Sequence, residues 1–169
     1  MTTTVVVGNP KRRSRTYATA VELTQRLTGA PADATIDLAD VGPALLDWSD
    51  PTVADLVSTV ESSSLLIVAS PTYKATYTGL LKLFLDRFAA GQLAGSVAIP
   101  VMLGADWRHS LAGEVHLKPV LAELGASTPT SALYLLDSEL LDGATFPAWL
   151  DAARTQLAPH ATPIPEVQR

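Results

Sequence analysis

Strand-like and helix-like patterns alternate along the whole chain, and this alternation constrains the fold more than any other feature. Short runs of aliphatic and β-branched residues predict five strands, at residues 3–7, 34–38, 65–69, 96–103 and 131–136. Apolar residues at helical spacing predict five helices, at residues 14–27, 52–60, 79–90, 111–124 and 146–157. Strands separated by helices predict an α/β domain, with a parallel sheet covered on both faces.

Two prolines and one connecting segment refine this prediction. Pro100 falls inside the fourth predicted strand, which would tolerate it only at an edge or a bulge. Pro119 falls inside the fourth predicted helix, where it should cause a kink or start a new turn. Residues 40–50 contain several turn-forming residues, so we predict a loop there.

Right-handed crossovers leave few ways to order five parallel strands. One of the two common solutions is the flavodoxin-like order 2-1-3-4-5, whose ligand crevice lies at the carboxyl ends of the strands, between the first and the third. The length of 169 residues favours one domain. We expect this doubly wound domain to span residues 1–158, and residues 159–169 to form an extended tail.

Composition excludes several classes of protein. The chain is 47% hydrophobic and 17% charged, which is enough apolar material for a sizeable core. No stretch has the ~18 to 20 consecutive apolar residues of a membrane span, and no signal-peptide pattern opens the chain. Cysteine is absent and the formal net charge is −5. These features predict a cytoplasmic protein without disulfides, and they argue against a general nucleic-acid binder.

The loop after the first strand concentrates positive charge. Lys11, Arg12, Arg13 and Arg15 place four cations within five residues of an otherwise acidic chain. Such a cluster is either a solvated basic loop or a site for an anion. Its position favours the anion, because free backbone N–H groups and the positive end of a helix meet where a strand turns into a helix.

Polar side chains in the same loop suit a phosphate group. Ser14 and Thr16 can donate from their hydroxyls and Asn9 from its amide, while Gly8 would allow close backbone approach. Ser14 could instead simply cap the first helix. Neither G-x-G-x-x-G nor G-x-x-x-x-G-K-[ST] is present, so a mononucleotide phosphate fits better than a pyrophosphate.

The loop after the third strand suits a flat ring. Residues 71–73 predict a rigid extended turn, and Thr78 and Gly79 open the next helix. Exposed backbone N–H groups here could bond the edge of a flavin, with Tyr73 near a ring face. The alternative is that Pro71 and Gly79 are ordinary turn-forming residues and that Tyr73 and Tyr77 pack in the core or at an interface.

The chain resembles the NADPH-dependent FMN reductase family, especially the small reductases that supply reduced flavin to two-component monooxygenases such as alkanesulfonate monooxygenase. The resemblance extends over most of the first 125 residues. It is carried by residues 8–11 with 14–16, by residues 71–75 with 78–82, which are the most specific, and by residues 117–121.

This resemblance implies a flavodoxin-like fold, FMN as cofactor or substrate, and reduction by NADPH or NADH. It also implies a homodimer or homotetramer and a partner flavin-dependent monooxygenase. The residues that match the family's phosphate loop are Asn9, Lys11, Ser14, Arg15 and Thr16. Those that match its ring loop are Pro71, Thr72, Tyr73, Lys74, Thr78 and Gly79. Gly104 and Ala105 match a third loop, which follows the fourth strand.

The sequence departs from the family pattern at two positions. Ala105 stands where the third loop often has a second glycine. The sulfonate-type reductases carry an inserted aromatic residue in the fourth helix, associated with tetramer packing, and Val115 stands at the matching position here.

Three functions stay open at this point. The first is a flavin reductase that releases reduced FMN. The second is a quinone or azo reductase that holds FMN tightly. The third is a flavodoxin-type electron carrier that is not an enzyme. Hydride transfer to a flavin needs little acid–base help from the protein, so we nominate no catalytic acid and expect loop or capping roles for His109 and His116. The strongly apolar helix at residues 79–88 is expected to pack at a subunit interface as well as on the sheet.

Overall fold

The computed structural model describes residues 1–160, and its centre is a five-stranded parallel sheet with strand order β2-β1-β3-β4-β5. The strands are β1 (Thr3–Val7), β2 (Ala34–Asp37), β3 (Leu65–Pro71), β4 (Val97–Gly104) and β5 (Leu133–Leu136). The flavodoxin-like doubly wound topology predicted from the sequence is therefore confirmed. The predicted tail begins in a short 3₁₀ turn, Ala158–His160, and the rest of it lies outside the described residues.

Helices cover both faces of the sheet. They are α1 (Arg15–Thr28), α2 (Pro51–Glu61), α3 (Gly79–Leu85), α4 (Lys118–Glu123) and α5 (Phe146–Leu157). Alternating side chains of a strand point to opposite faces. Val5 and Val7 accordingly join one core with α1 and α5, while Val6 joins the other with α2, α3 and α4. No helix within residues 1–160 is long and apolar enough to cross a bilayer.

Two connecting regions differ from the sequence-based predictions. The predicted loop at residues 40–50 contains a 3₁₀ turn, Gly42–Leu46, which follows another at Leu38–Asp40. Helix α3 ends at Leu85 instead of residue 90. Its hydrogen bonds tighten there, because Arg87 N–H donates to Phe84 O and Phe88 N–H donates to Leu85 O. Apolar residues continue at helical spacing past Leu85, and the sequence therefore predicted a helix that is too long.

Pro100 lies in an interior strand, because β4 pairs with both β3 and β5. The expectation of a position at the edge of the sheet is therefore wrong for the strand as a whole. Locally, however, pairing with β5 begins only at Val101. Ala98 N–H, two residues earlier, faces the β5 side, where it donates to Ser127 O. Pro100 therefore turns its nitrogen toward the side on which β5 has not yet begun, and no ladder bond is lost.

The predicted helix at residues 111–124 is a π-helical turn, Gly113–Leu117, followed by α4. Lys118 N–H donates to Gly113 O, five residues back, and Pro119 lies in the first turn of α4. The prediction that Pro119 starts a new turn is confirmed. A π turn takes up one more residue than an α turn. Such a turn is where an inserted residue of the fourth helix can be accommodated, and the exposed Val115 lies within it.

Candidate functional site

Three loops meet at the carboxyl edge of the sheet, as the strand order requires. They follow β1 (residues 8–14, the phosphate loop), β3 (residues 72–78, the ring loop) and β4 (residues 105–107, the third loop). The phosphate and ring loops are joined directly, because the Thr78 hydroxyl donates to Gly8 O. The ring loop also joins the end of β4, because Thr72 N–H donates to Leu103 O at 2.6 Å. The residues predicted to hold FMN are thus brought together.

Polar side chains fix the phosphate loop. Ser14 caps α1, since its hydroxyl oxygen accepts from Tyr17 N–H at 3.2 Å, which is the capping alternative expected from the sequence. Asn9 is buried, and its Nδ2 donates to Thr16 Oγ1 at 3.0 Å while its Oδ1 accepts from Lys11 N–H at 2.9 Å. The hydroxyl hydrogens of Ser14 and Thr16 remain available as donors, because both oxygens act as acceptors in these bonds.

The basic cluster does not present four free charges. The ion pairs are Arg12–Asp40, Arg13–Asp37, Arg13–Asp40 and Arg15–Asp137. The charges of three arginines are therefore partly neutralised by carboxylates that lie at the end of β2 or shortly after β2 and β5. Lys11 is exposed, and within residues 1–160 it makes no ion pair. Of the four cations, Lys11 is the best placed to meet an incoming anion.

Backbone donors complete this end of the site. Among the described residues, the N–H groups of Arg12, Ser14, Arg15 and Thr16 meet no acceptor. Three of them belong to the cap and first turn of α1, where unpaired N–H groups and the helix dipole favour a negative charge. These donors, the two hydroxyls and Lys11 form a set that suits a phosphate group.

The tip of the ring loop is a tight turn. Tyr73 N–H donates to Thr76 O at 2.9 Å, and Thr76 N–H donates to Tyr73 O at 3.3 Å. Between them, Lys74 and Ala75 both have positive φ angles, of 52° and 69°. Such a turn normally selects glycine or asparagine, and each side chain here costs about 1–2 kcal/mol. The N–H groups of Lys74, Ala75 and Tyr77 meet no acceptor among the described residues.

Thr78 anchors the base of the ring loop. Its N–H donates to Ser70 Oγ at 3.1 Å, and its hydroxyl oxygen accepts from Leu81 N–H at 3.2 Å, which caps α3. Gly8, the first residue of the phosphate loop, allows α3 to pack closely at this junction, because a Cβ on Gly8 would lie 2.5 Å from Leu81 Cβ. Gly8 therefore permits close approach of α3, whereas the sequence had suggested approach of a ligand. Gly79 has open space around it.

The third loop rests on Tyr134, which sequence reasoning missed. Tyr134 comes from β5, and its hydroxyl donates to Asp106 O at 2.8 Å. Burial raises the pKa of this phenol, so it stays protonated and acts as the donor. A Cβ on Gly104 would collide with the Tyr134 hydroxyl, so only glycine fits there. The sequence signal that could have identified Tyr134 is its position near the carboxyl end of the fifth predicted strand.

Aromatic side chains flank the ring loop and the third loop. Tyr73 is 51% exposed, and Trp107 is 43% exposed with its ring 5.7 Å from that of Tyr134. The buried Thr72 Oγ1 has no hydrogen-bond partner among the described residues. His109 lies in the 3₁₀ turn Trp107–His109, and His116 lies exposed in the π turn.

The two halves of the site fit the two halves of FMN. Hydroxyls, N–H groups and Lys11 at the phosphate loop match a phosphate, while free N–H groups and exposed aromatic side chains at the ring loop match a planar heterocycle. The link between Thr78 and Gly8 holds both halves on one edge.

Comparison with known proteins agrees with this chemistry. The family model described as NADPH-dependent FMN reductase matches residues 1–139. The FMN reductase (NADPH) of Escherichia coli (strain K12) is 29% identical over 156 residues, covering 90% of this chain and 82% of that protein. The NADH-dependent FMN reductase SfnF of Pseudomonas putida is 30% identical over 138 residues, covering 77% of this chain and 74% of that protein.

A solved structure shows the same likeness. The apo form of the NADH:FMN oxidoreductase EMOB is 30% identical and superposes with a TM-score of 0.85, covering 99% of this chain and 94% of that one. An oxidoreductase from Corynebacterium diphtheriae superposes with a TM-score of 0.81 at 26% identity. Together with the family match, these findings show that the chain belongs to the NADPH-dependent FMN reductase family and is an enzyme that reduces FMN with NADPH or NADH.

Proposed function

We propose that the phosphate of FMN binds at the phosphate loop and that its ring binds between the ring loop and the third loop. The tie from Thr78 to Gly8 carries this proposal, because it fixes the anion donors and the ring-edge donors on one edge of the sheet. Lys11, Ser14, Arg15 and Thr16 are the proposed phosphate ligands, with Asn9 holding the loop. The proposed ring contacts are Pro71, Thr72, Tyr73, Lys74, Thr78, Gly79, Gly104 and Ala105.

We also propose that reduced FMN leaves the enzyme and supplies a flavin-dependent monooxygenase. The names of the relatives support this, because they give FMN as the compound that is reduced. The exposure of Tyr73 and Trp107 also supports it, since an open ring site lets a nucleotide enter and a flavin depart.

FMN bound at this site would supply the redox chemistry, which is the acceptance at N5 of a hydride from nicotinamide C4. The protein needs no acid or base for this step. Its own residues would bind the phosphate and would hold the ring edge through backbone N–H groups. Orientation is therefore the main contribution of the site.

Nucleotide oxidation tests this function. The protein freed of flavin is mixed with NADPH or NADH in air, and absorbance at 340 nm is followed as FMN is added. We expect turnover that requires FMN and saturates in it at micromolar concentration. If the protein instead keeps its flavin through purification and oxidises the nucleotide at a rate that does not depend on added FMN, the proposed release of FMN is contradicted. No oxidation by flavin-loaded protein would instead support an electron carrier.

Adding a quinone or an azo dye distinguishes the proposed function from the remaining alternative, a quinone or azo reductase that holds FMN tightly. A reductase that holds FMN tightly would oxidise the nucleotide faster when such an acceptor is added, even without free FMN. The proposed enzyme would need free FMN before either acceptor was reduced. Adding a monooxygenase of the two-component type to the same assay would then test supply, since substrate oxygenation should depend on both FMN and this protein.

We further propose that copies of the chain associate through the groove between α3 and α4. This groove has a volume of about 420 Å³, and its lining includes Leu85, Phe88 and Val120 beside the charged Lys82 and Asp86. Sedimentation at micromolar concentration should give a dimer or a tetramer, and Val120→Asp should shift it to the monomer. The matched Ser58→Asp change, at an exposed position of α2, should not. A wild-type monomer would contradict the proposal.

A further inference from the structure

Arg13 has an unusual backbone conformation near the end of the phosphate loop. Its φ angle is +48°, in the left-handed region that a long side chain enters at a cost of about 1–2 kcal/mol. Arg13 is also largely exposed, and its packing contact, with the guanidinium 4.8 Å from the centre of the Tyr17 ring, does not involve its backbone. A contact to the backbone must therefore offset this cost.

Asp37 supplies that contact. One carboxylate oxygen, Oδ2, accepts from Arg13 N–H at 2.8 Å and from Arg13 Nη1 at 3.0 Å. The other, Oδ1, accepts from Ala39 N–H at 3.4 Å. The Asp37 side chain is 0% exposed, although the guanidinium that pairs with it is open to solvent. A buried carboxylate with these partners has few alternative positions, so it is a rigid anchor.

The sheet sets the position of this anchor. Asp37 is the last residue of β2, and it stands opposite Val7, the last residue of β1. The phosphate loop therefore starts beside the carboxylate and returns to it at Arg13. This return places Ser14 at the start of α1 and leaves the N–H groups of Arg12 and Ser14 unpaired among the described residues.

We propose that Asp37 is a positioning residue for phosphate recognition, which it serves by holding Arg13 in the left-handed conformation that shapes the loop. The inference rests on the proposed binding of the FMN phosphate at this loop. Asp37 does not touch the phosphate in this account. It acts only through the Arg13 backbone and side chain.

Charge and position give opposite expectations for Asp37. A carboxylate near a phosphate repels it, so removal of that charge alone should tighten FMN binding. Loss of the anchor should weaken FMN binding, because the loop donors then spread over several arrangements. The sign of the change therefore separates a positioning role from mere proximity.

The experiment compares FMN with riboflavin, which lacks the phosphate, through quenching of flavin fluorescence. In Asp37→Asn, the amide nitrogen faces N–H donors, so one of the anchoring bonds is lost. We expect the Kd for FMN to rise about tenfold or more, as loss of a charged hydrogen bond implies, while the Kd for riboflavin stays within about twofold. Asp40→Asn is the matched control, because it removes an equal charge whose partners are only guanidinium groups. It should leave the Kd for FMN unchanged or lower it.

A second variant approaches the same contact from the exposed side. Arg13→Pro removes the N–H donor and forbids a positive φ, and it should lower FMN affinity without affecting riboflavin. Arg13→Ala keeps the N–H and serves as its control, with a smaller loss. Tighter or unchanged FMN binding in Asp37→Asn, or an equal loss for both flavins, would overturn the inference. Wild-type protein that fails to prefer FMN over riboflavin would instead overturn the proposed phosphate site.

Discussion

The phosphate loop and the ring loop occupy the same edge of the sheet, but they are held in different ways. Side chains fix the phosphate loop, through Asn9 and Asp37. The tip of the ring loop closes on itself through two backbone bonds, with Lys74 and Ala75 in strained conformations. Only its base is tied down, by Thr72 and Thr78.

This difference fits the part of FMN that we propose for each loop. A phosphate is small and charged, so a fixed set of donors binds it best, and rigidity reduces the ordering cost. A ring edge offers a few donors and acceptors in one plane, which backbone groups of a short turn can match. Strain that is tolerated in such a turn is typical of a functional loop.

The largest effect is expected where the two loops join. Thr78→Val removes the cap of α3 and leaves Gly8 O without its donor, so we expect a loss of about 2–3 kcal/mol in the free energy of unfolding. Urea unfolding measures it. Thr155→Val, at an exposed position of α5, should cost far less. Equal losses in the two variants would mean that the junction of the two loops makes no special contribution to stability.

A smaller effect is expected within the phosphate loop. Ser14→Ala should cost about 1 kcal/mol of stability through loss of the helix cap, and it should also weaken FMN binding because a phosphate donor is removed. Asp50→Ala removes the comparable cap of α2 and should cost similar stability with no change in FMN affinity. If both variants bind FMN equally well, Ser14 serves only the helix.

The smallest expected effect is on stability, when the strain of a positive φ angle is relieved in each of the two loops. Ala75→Gly should stabilise the protein by about 0.5–1 kcal/mol, because relief of left-handed strain exceeds the entropy that glycine adds to the unfolded chain. Arg13→Gly relieves the same kind of strain but leaves the buried Asp37 without its guanidinium, and it should destabilise. Thermal unfolding checks both signs. The same sign for both would remove the distinction between the loops.

Most of the fold follows from local sequence patterns. Alternating strands and helices predicted a doubly wound parallel sheet, for which the observed order is one of two common solutions. Ser14 was recognisable as a cap or phosphate ligand. The contacts that shape the site were harder to foresee, because they join distant residues. Asp37 meets Arg13 across 24 positions, and Tyr134 meets Asp106 across 28. The basic cluster therefore suggested four available charges where three are already paired.

One measurement tests the division of the site most directly. Amide resonances of the ¹⁵N-labelled protein are followed by NMR while FMN or riboflavin is added. We expect those of Arg12, Ser14 and Arg15 to move with FMN and not with riboflavin, and those of Lys74 and Ala75 to move with both. Equal movement of the phosphate loop with the two flavins, or no movement of either loop with FMN, would contradict the account.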